Sequence, residues 1–278
     1  MRRQRLRRRA ARWGAAALVV ALLGFLTIPT VVVVVASFNA TAILSFPPQG
    51  WSLRWYVNAL TYPDFRRGFG NSLVVTGAAA ALAVAIGGAA VIALDRVPVR
   101  GATLLAAALM SPLIVPGVVT GLGLLFLAAA AGLLASRATL VVAHVLVVMP
   151  FVMRSIWVSL RNLDPTLELA AAGLGASPPR AFWEVTLPLL RPGIFAALLF
   201  ALVISFNEFV ISLFVSTRVT EILPVAMFNY IRNYTDPTIA ALSTLFIAAT
   251  TGLIVLADRL LRVSAVLRMG GDREARVR

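Results

Sequence analysis

Apolar runs of twenty or more residues recur along this chain of 278 residues, of which 60% are hydrophobic. About 20 residues, at a rise of about 1.5 Å each, cross the roughly 30 Å hydrocarbon core of a bilayer. Only helices and closed barrels satisfy the backbone there, and these runs lack the alternation of barrel strands. The sequence therefore predicts an all-α polytopic membrane protein with six spans, at 13–36, 70–94, 103–131, 139–160, 193–215 and 239–261.

All 25 basic residues are arginine, and against 11 acidic residues they give a net charge of +14. With the N-terminus in the cytoplasm, 18 arginines flank the spans on the cytoplasmic side and six on the other side, while Arg154 lies within the fourth span. This asymmetry is the positive-inside signal, and it argues against nucleic-acid binding. We expect both termini to be cytoplasmic, with a basic tail at 1–12, a transmembrane domain at 13–262 and a second tail at 263–278.

The N-terminus also resembles a secretory signal peptide, which would be cleaved after Ala40-Thr41-Ala42. The apolar run 13–36 is longer than the roughly 7–15 residues usual in such peptides, which favours an uncleaved first span. The chain has no cysteine, so disulfides, thiolate metal sites and cysteine nucleophiles are excluded. We predict neither a catalytic residue nor a metal site.

Prolines interrupt two of the predicted spans. The third span contains Pro112, Pro116 and Gly117, and the fourth contains Met149-Pro150. Proline removes a backbone donor, and irregular backbone inside a membrane is tolerated only where protein or water satisfies it. We therefore expect both helices to be broken or kinked, either as a packing device or because they line a transport pathway.

A polar segment at 161–192, placed in the cytosol by the arginine bias, separates the fourth and fifth spans. Asp164-Pro165 is a good helix start and Gly175 a good stop, while Ser177-Pro178 starts a second short helix through Val185. Alanine and glycine allow a partner's surface to approach closely, and Phe182 adds apolar contact area. A helix pair that touches only lipid is the alternative, but its polar face would carry more basic residues.

This segment resembles the EAA loop of the membrane subunits of type I ABC importers. Ala170 and Ala171 match the two alanines, and Gly175 stands nine residues before Val185-Thr186-Leu187-Pro188, as in the EAA pattern. Two positions depart: Leu169 stands where the pattern has glutamate, with Glu168 one residue earlier, and Val185 replaces isoleucine. The resemblance implies that an ATPase docks on Glu168, Leu169, Ala170, Ala171, Gly175, Phe182, Leu187 and Pro188.

Further motifs resemble the second permease of spermidine/putrescine importers, and they cover most of the chain. They are Ser37-Phe38-Asn39, Ser52-Leu53-Arg54-Trp55-Tyr56, Asn71-Ser72-Leu73, Ser111-Pro112-Leu113-Ile114-Val115-Pro116, Ser205-Phe206-Asn207-Glu208-Phe209 and Leu223-Pro224-Val225. The resemblance implies a bacterial inner-membrane permease that pairs with a sister permease, two ATPase copies and a periplasmic binding protein, all within membrane lipid. The substrate it implies is a polyamine or related cation; an opine or amino-acid derivative is the alternative.

A chain without lysine cannot supply the lysine of a phosphate-binding P-loop, so we expect it to have no ATPase site of its own. As a transport subunit it is expected to be no enzyme and to bind no cofactor. ATP and magnesium would be used by the partner ATPase. An ion-coupled secondary transporter is the rival class, but it predicts inverted repeats and more acids or histidines within the membrane. A non-transporting scaffold would need neither broken helices nor a docking loop.

Polar residues inside the predicted spans are candidates for the substrate pathway. Asn207 and Glu208 are expected within the fifth span, where an ionisable residue usually faces a cavity or a partner. Glu208 would supply counter-charge, or would instead pair with Arg218 or Arg232. The full candidate set is Ser205, Phe206, Asn207, Glu208, Pro116 and Gly117. His144 is expected to be a packed hydrogen-bonding residue, and Asp95-Arg96 a charge pair at a helix end.

Overall fold

This computed structural model describes residues 2–98, 100–134, 136–252, 254, 255 and 259, and these residues are mainly helical. The helices are α1 (Arg2–Ala36), α2 (Arg54–Thr61), α3 (Pro63–Arg96), α4 (Ala102–Met110), α5 (Gly117–Ala130), α6 (Arg137–Arg161), α7 (Thr166–Gly173), α8 (Pro178–Ala181), α9 (Leu187–Phe206), α10 (Val210–Val215), α11 (Leu223–Asn233) and α12 (Thr238–Gly252). A 3₁₀ turn (Ser111–Leu113) follows α4, and a π-helical turn (Phe182–Thr186) joins α8 to α9.

Four helical stretches are long and apolar enough to cross a membrane: Arg12–Ala36, Pro63–Arg96, Arg137–Arg161 and Pro178–Phe206. A bent pair, Ala102–Leu113 with Gly117–Ala130, forms a fifth if it is one span. The class of a helical polytopic membrane protein is therefore confirmed. The count of six spans stays a prediction, because α12 is shorter and most of the rest of the sixth span lies outside the described residues, as does the tail 263–278.

Proline affects the third and fourth predicted spans differently. The two halves of the third diverge by 104°, and Pro116 takes an extended conformation just before α5, so the predicted break is present. No break is present at Met149-Pro150, because α6 continues through Pro150, and a kink there stays a prediction. Both residues are buried in the core, and close packing by neighbouring helices lets a membrane helix tolerate one missing hydrogen bond.

The chain divides into two compact units, of which the first comprises residues 1–62 and 229–249. Within it, the Trp55 indole N–H donates to the carbonyl of Asn39 at 2.7 Å, and the hydroxyls of Ser37 and Tyr56 lie 2.6 Å apart. The Asn58 amide donates to the Thr238 hydroxyl at 2.8 Å. These contacts tie the residues after α1, helix α2 and the start of α12 into one body.

The second unit comprises residues 63–228 and the described residues from 250 onward, and its core is built by α3, α6 and α9. The contacts use small residues of α3 and α9 against larger side chains of α6. The buried cluster is Ala80, Ala83, Val91, Val148, Met149, Val152, Met153, Ile156, Ala197 and Ala201. Small residues allow helices to approach closely in a membrane, where lipid is as apolar as the side chains and van der Waals contact must hold the helices together.

Gly193 of α9 marks the closest approach to α6. A Cβ atom on Gly193 would overlap the Cβ and Oγ of Ser159, whereas a Cβ on Gly77 of α3 would meet nothing within 4 Å. We expect Gly193→Ala to lower the free energy of unfolding by about 1–3 kcal/mol, the usual cost of overpacking. Thermal unfolding of the purified chain in detergent measures this change.

Two further variants separate overpacking from a general effect of alanine. Gly77→Ala should unfold at or above the wild-type temperature, since alanine favours the helix. Adding Ser159→Gly to Gly193→Ala should restore most of the lost stability. Wild-type stability of the single Gly193→Ala variant would contradict the close packing of α6 and α9.

Candidate functional site

The 161–192 loop begins with a capped helix. Asp164 accepts hydrogen bonds from the backbone N–H of Thr166 at 2.9 Å and from its hydroxyl at 2.7 Å, just before α7. These two bonds hold the pKa of Asp164 below its usual range, since they favour the carboxylate. The start of α7 could therefore be predicted from Asp164-Pro165.

Helix α7 ends in a Schellman motif. The N–H of Ala176 donates to the carbonyl of Ala171, and the N–H of Gly175 donates to that of Ala172. Gly175 has a φ of +89°, a conformation that favours glycine. A Cβ at this position would meet nothing within 4 Å. Within this chain the positive φ, and not a lack of space, therefore explains why the residue is glycine.

The second predicted short helix of the loop is not separate from the fifth span. Helix α8 passes through the π-helical turn directly into α9, and Pro188 lies in the first turn of α9. Proline suits the first turn of a helix, and a π turn absorbs local changes in hydrogen bonding. The second helical part of the loop is therefore continuous with a membrane-spanning helix.

The predicted docking residues differ in exposure. Leu169, Ala170 and Gly175 are exposed, with 71% of Leu169 accessible; Glu168, Ala171, Phe182, Leu187 and Pro188 are partly buried. Two neighbours that the resemblance did not select, Leu174 and Trp183, are 91% and 65% exposed. The loop thus presents small and apolar side chains outward.

The carboxylate of Glu168 is engaged within the chain. It forms an ion pair with Arg96 at the end of α3, and the Thr186 hydroxyl donates to the same oxygen, Oε1. Arg96 also donates to the Thr186 hydroxyl at 3.2 Å, and its guanidinium lies 5.1 Å above the Phe182 ring. We call these four residues the Arg96 cluster.

Sequence reasoning missed Arg96 and Thr186 as parts of this site. The expected pair Asp95-Arg96 does not form: Asp95 pairs with Arg161 at 3.5 Å, while Arg96 pairs with Glu168. Consecutive helical residues point about 100° apart and do not face each other. The sequence shows a basic residue in the last turn of α3 and an acid in the first turn of α7, but nothing in it indicates that the two meet.

The predicted fifth span ends earlier than expected. Helix α9 stops at Phe206, and α10 starts at Val210, so Asn207 and Glu208 lie in a break and not inside a helix. The carboxylate of Glu208 accepts the N–H of Ile211 at 2.8 Å, which caps α10. In the part of the chain that the structure describes, Glu208 forms no ion pair with Arg218.

A buried polar network spans this break. One ring nitrogen of His144 lies 2.7 Å from the Ser205 hydroxyl on α9, and the other lies 2.8 Å from the Ser212 hydroxyl on α10. Ser205 also donates to Thr76 of α3 at 3.2 Å. His144 thus fixes the ends of α9 and α10 relative to α6, consistent with a packed hydrogen-bonding role.

The break in the third span lies beside the break at 207–209. A Cβ on Gly117 would stand 3.3 Å from the Val210 side chain, and one on Gly121 would overlap the Phe214 ring. Pro116 precedes Gly117 at the start of α5. The structure therefore brings Pro116 and Gly117 close to the Asn207-Glu208 break, although the two segments are about ninety residues apart in sequence.

The other pathway candidates have unequal access to a solute. Asn207 is exposed, and its amide donates to the carbonyl of Val203 in the preceding helix α9. Phe206 is partly buried, and its ring lies edge-on to Phe69, with 6.2 Å between the centroids. Ser205 is fully buried in the His144 network. Phe206, Asn207 and Glu208 therefore have accessible surface, whereas Ser205 holds the break together.

Similarity to known proteins gives independent information on this arrangement. The family "Binding-protein-dependent transport system inner membrane component" matches residues 107–265. The putrescine transport system permease protein PotI of Escherichia coli K12 is 36% identical over 241 residues, covering 84% of this chain and 85% of the relative. The spermidine/putrescine transport system permease protein PotC of Haemophilus influenzae is 31% identical over 239 residues, covering 86% and 92%.

Another relative and a solved structure extend the comparison. The molybdenum transport system permease protein ModB of Mycobacterium bovis is 30% identical over 241 residues, covering 81% of this chain and 88% of the relative. The fold matches the crystal structure of a bacterial alginate ABC transporter in complex with an alginate pentasaccharide-bound periplasmic protein. The TM-score is 0.70 at 15% identity, covering 89% of this chain and 93% of the other. With the family match spanning more than half of its residues, this chain belongs to the inner-membrane components of binding-protein-dependent transport systems.

Proposed function

We propose that this chain is a permease subunit of a type I ABC importer that carries a polyamine such as putrescine or spermidine. The family makes it a multi-pass inner-membrane component of a transport system. In this proposal a periplasmic binding protein delivers the solute, a sister permease completes the pathway, and two copies of a cytosolic ATPase supply the energy. Both termini and the 161–192 loop face the cytosol, as the arginine distribution favours.

The exposed face of α7 carries the proposal. Leu169 and Ala170 of α7, with Leu174 directly after it, form a small and apolar surface, and α7 is joined by a short turn to α8, which runs into α9. Such a surface suits helix-in-groove docking, and the continuity lets movement of the loop reach a membrane-spanning helix. Since the chain has no lysine for a P-loop, ATP hydrolysis is assigned to the docked partner.

The choice of a cationic solute is supported by Glu208 at the paired helix breaks. Discontinuous helices near one another are typical of transporter binding sites, where helix ends and irregular backbone face the solute. The carboxylate provides counter-charge, and Phe206 beside it provides an aromatic face for a cation. Because relatives in this family are named for putrescine and for molybdenum transport, the family alone leaves the substrate open.

The docking role is tested by adding a bulky ring on the exposed face of α7. We expect Ala170→Trp to abolish co-purification of the ATPase, because the indole blocks close approach of the partner. Ala129→Trp, which places the same ring at an exposed position of α5, should leave co-purification unchanged. Wild-type recovery of the ATPase with Ala170→Trp would show that the partner docks elsewhere.

The substrate role of Glu208 is tested by removing its charge and keeping its shape. Glu208→Gln can still accept the N–H of Ile211, so the cap on α10 remains. We expect putrescine uptake by the assembled importer in liposomes to fall about tenfold, equivalent to about 1.4 kcal/mol. Glu208→Ala removes charge and cap together; if only this variant lost uptake, Glu208 would be a structural cap and not a substrate contact.

A further inference from the structure

Arg96 is the point where α3 meets the loop. Its guanidinium pairs with Glu168 of α7, donates to Thr186 at 3.2 Å, and lies over Phe182 at 5.1 Å. Thr186 and Phe182 are the two ends of the π-helical turn that leads into α9. A single side chain at the end of α3 therefore holds both helical parts of the 161–192 loop.

The N-terminal third of α3, at Asn71 and Ser72, holds a second segment of the same unit. The Asn71 amide donates to the carbonyls of Val219 and Glu221, each at 3.0 Å, and the Ser72 hydroxyl accepts the N–H of Leu223 at 2.9 Å. Asn71 and Ser72 are buried. These bonds fix the 216–222 segment to α3 at the membrane face opposite the loop.

Between the contacts at Asn71-Ser72 and at Arg96, α3 is one continuous helix. From Ser72 to Arg96 it covers roughly 36 Å at about 1.5 Å per residue. Its inner face packs on α6 and α9 through alanine and valine, so it moves as a stiff element against a close-packed surface. A displacement of its Arg96 end would therefore reach the 216–222 segment.

We propose that Arg96 is a positioning residue that transmits movement of the docked loop to α3 and so to the 216–222 segment. This inference rests on the proposed function, since it takes the loop to be moved by an ATPase. The proposal also explains why the acidic residue stands one position earlier than in the EAA pattern. Glu168 forms an ion pair within the chain, while the exposed Leu169 occupies the position of the pattern's glutamate. Docking and transmission are thus carried by different residues of α7.

A second ion pair at the same end of α3 provides a matched control. Asp95 pairs with Arg161 of α6 at 3.5 Å, and Arg161 lies over Trp157 at 5.3 Å, much as Arg96 lies over Phe182. Arg161 is the last residue of α6, so this pair joins α3 to α6, and neither this ion pair nor the ring contact involves α7 or the π-helical turn. Loss of Arg161 removes a similar ion pair and a similar ring contact and leaves the contacts of Arg96 with Glu168, Thr186 and Phe182 in place.

The experiment measures coupling in the importer assembled in liposomes. We expect Arg96→Gln to retain the ATPase but to lower both the stimulation of ATP hydrolysis by putrescine-loaded binding protein and putrescine uptake per ATP, by about tenfold, within the usual range of coupling between two sites. Arg161→Gln should keep the wild-type stimulation of ATP hydrolysis and the wild-type putrescine uptake per ATP. Arg96→Glu should uncouple as well, and adding Glu168→Arg should restore coupling, because the reversed pair joins the same two positions.

The outcomes separate this inference from the proposed function. Wild-type coupling by Arg96→Gln, or failure of the reversed pair to restore coupling, would overturn the role of Arg96. Loss of the ATPase from Arg96→Gln would overturn it too, since the residue would then serve docking. Failure of the wild-type chain to retain an ATPase would instead contradict the proposed function.

Discussion

Close contact between small residues is the constraint on which the second unit depends. In lipid, burial of apolar surface does not drive helices together, so α3, α6 and α9 must be held by van der Waals contact and interhelical hydrogen bonds. Gly193 against Ser159 and the alanines of α3 and α9 supply the contact. The result is a stiff three-helix core that can carry irregular segments on either side.

Polar interactions in this unit are placed where helices end or break. His144 bridges Ser205 and Ser212 across the 207–209 break, and Arg96 joins the end of α3 to the loop. The His144 network is buried, so its hydrogen bonds are costly to lose and fix the geometry of the 207–209 break, whereas the Arg96–Glu168 pair is partly exposed. The proposed pathway and the proposed transmission therefore rely on the same core and on different polar contacts.

Sequence reasoning gave the helical membrane class, the loop start at Asp164 and the break near Pro116, because each depends on local chemistry. It did not predict that α6 continues unbroken through Pro150, since the effect of a proline depends on the packing around it. It also missed the break at Asn207-Glu208, since neither residue breaks a helix by propensity. The pairing of Arg96 with Glu168 joins residues 72 positions apart and has no local signal. Nor does the sequence reveal that Gly117 lies beside Val210.

The central claim is that this chain moves solute only when a separate ATPase drives it through the 161–192 loop. The most direct measurement is putrescine uptake by liposomes that contain the purified permease pair, with binding protein outside and ATP inside, in the presence and absence of the ATPase. The account predicts uptake only when ATPase and ATP are both present. Uptake driven by an ion or solute gradient without the ATPase would contradict it.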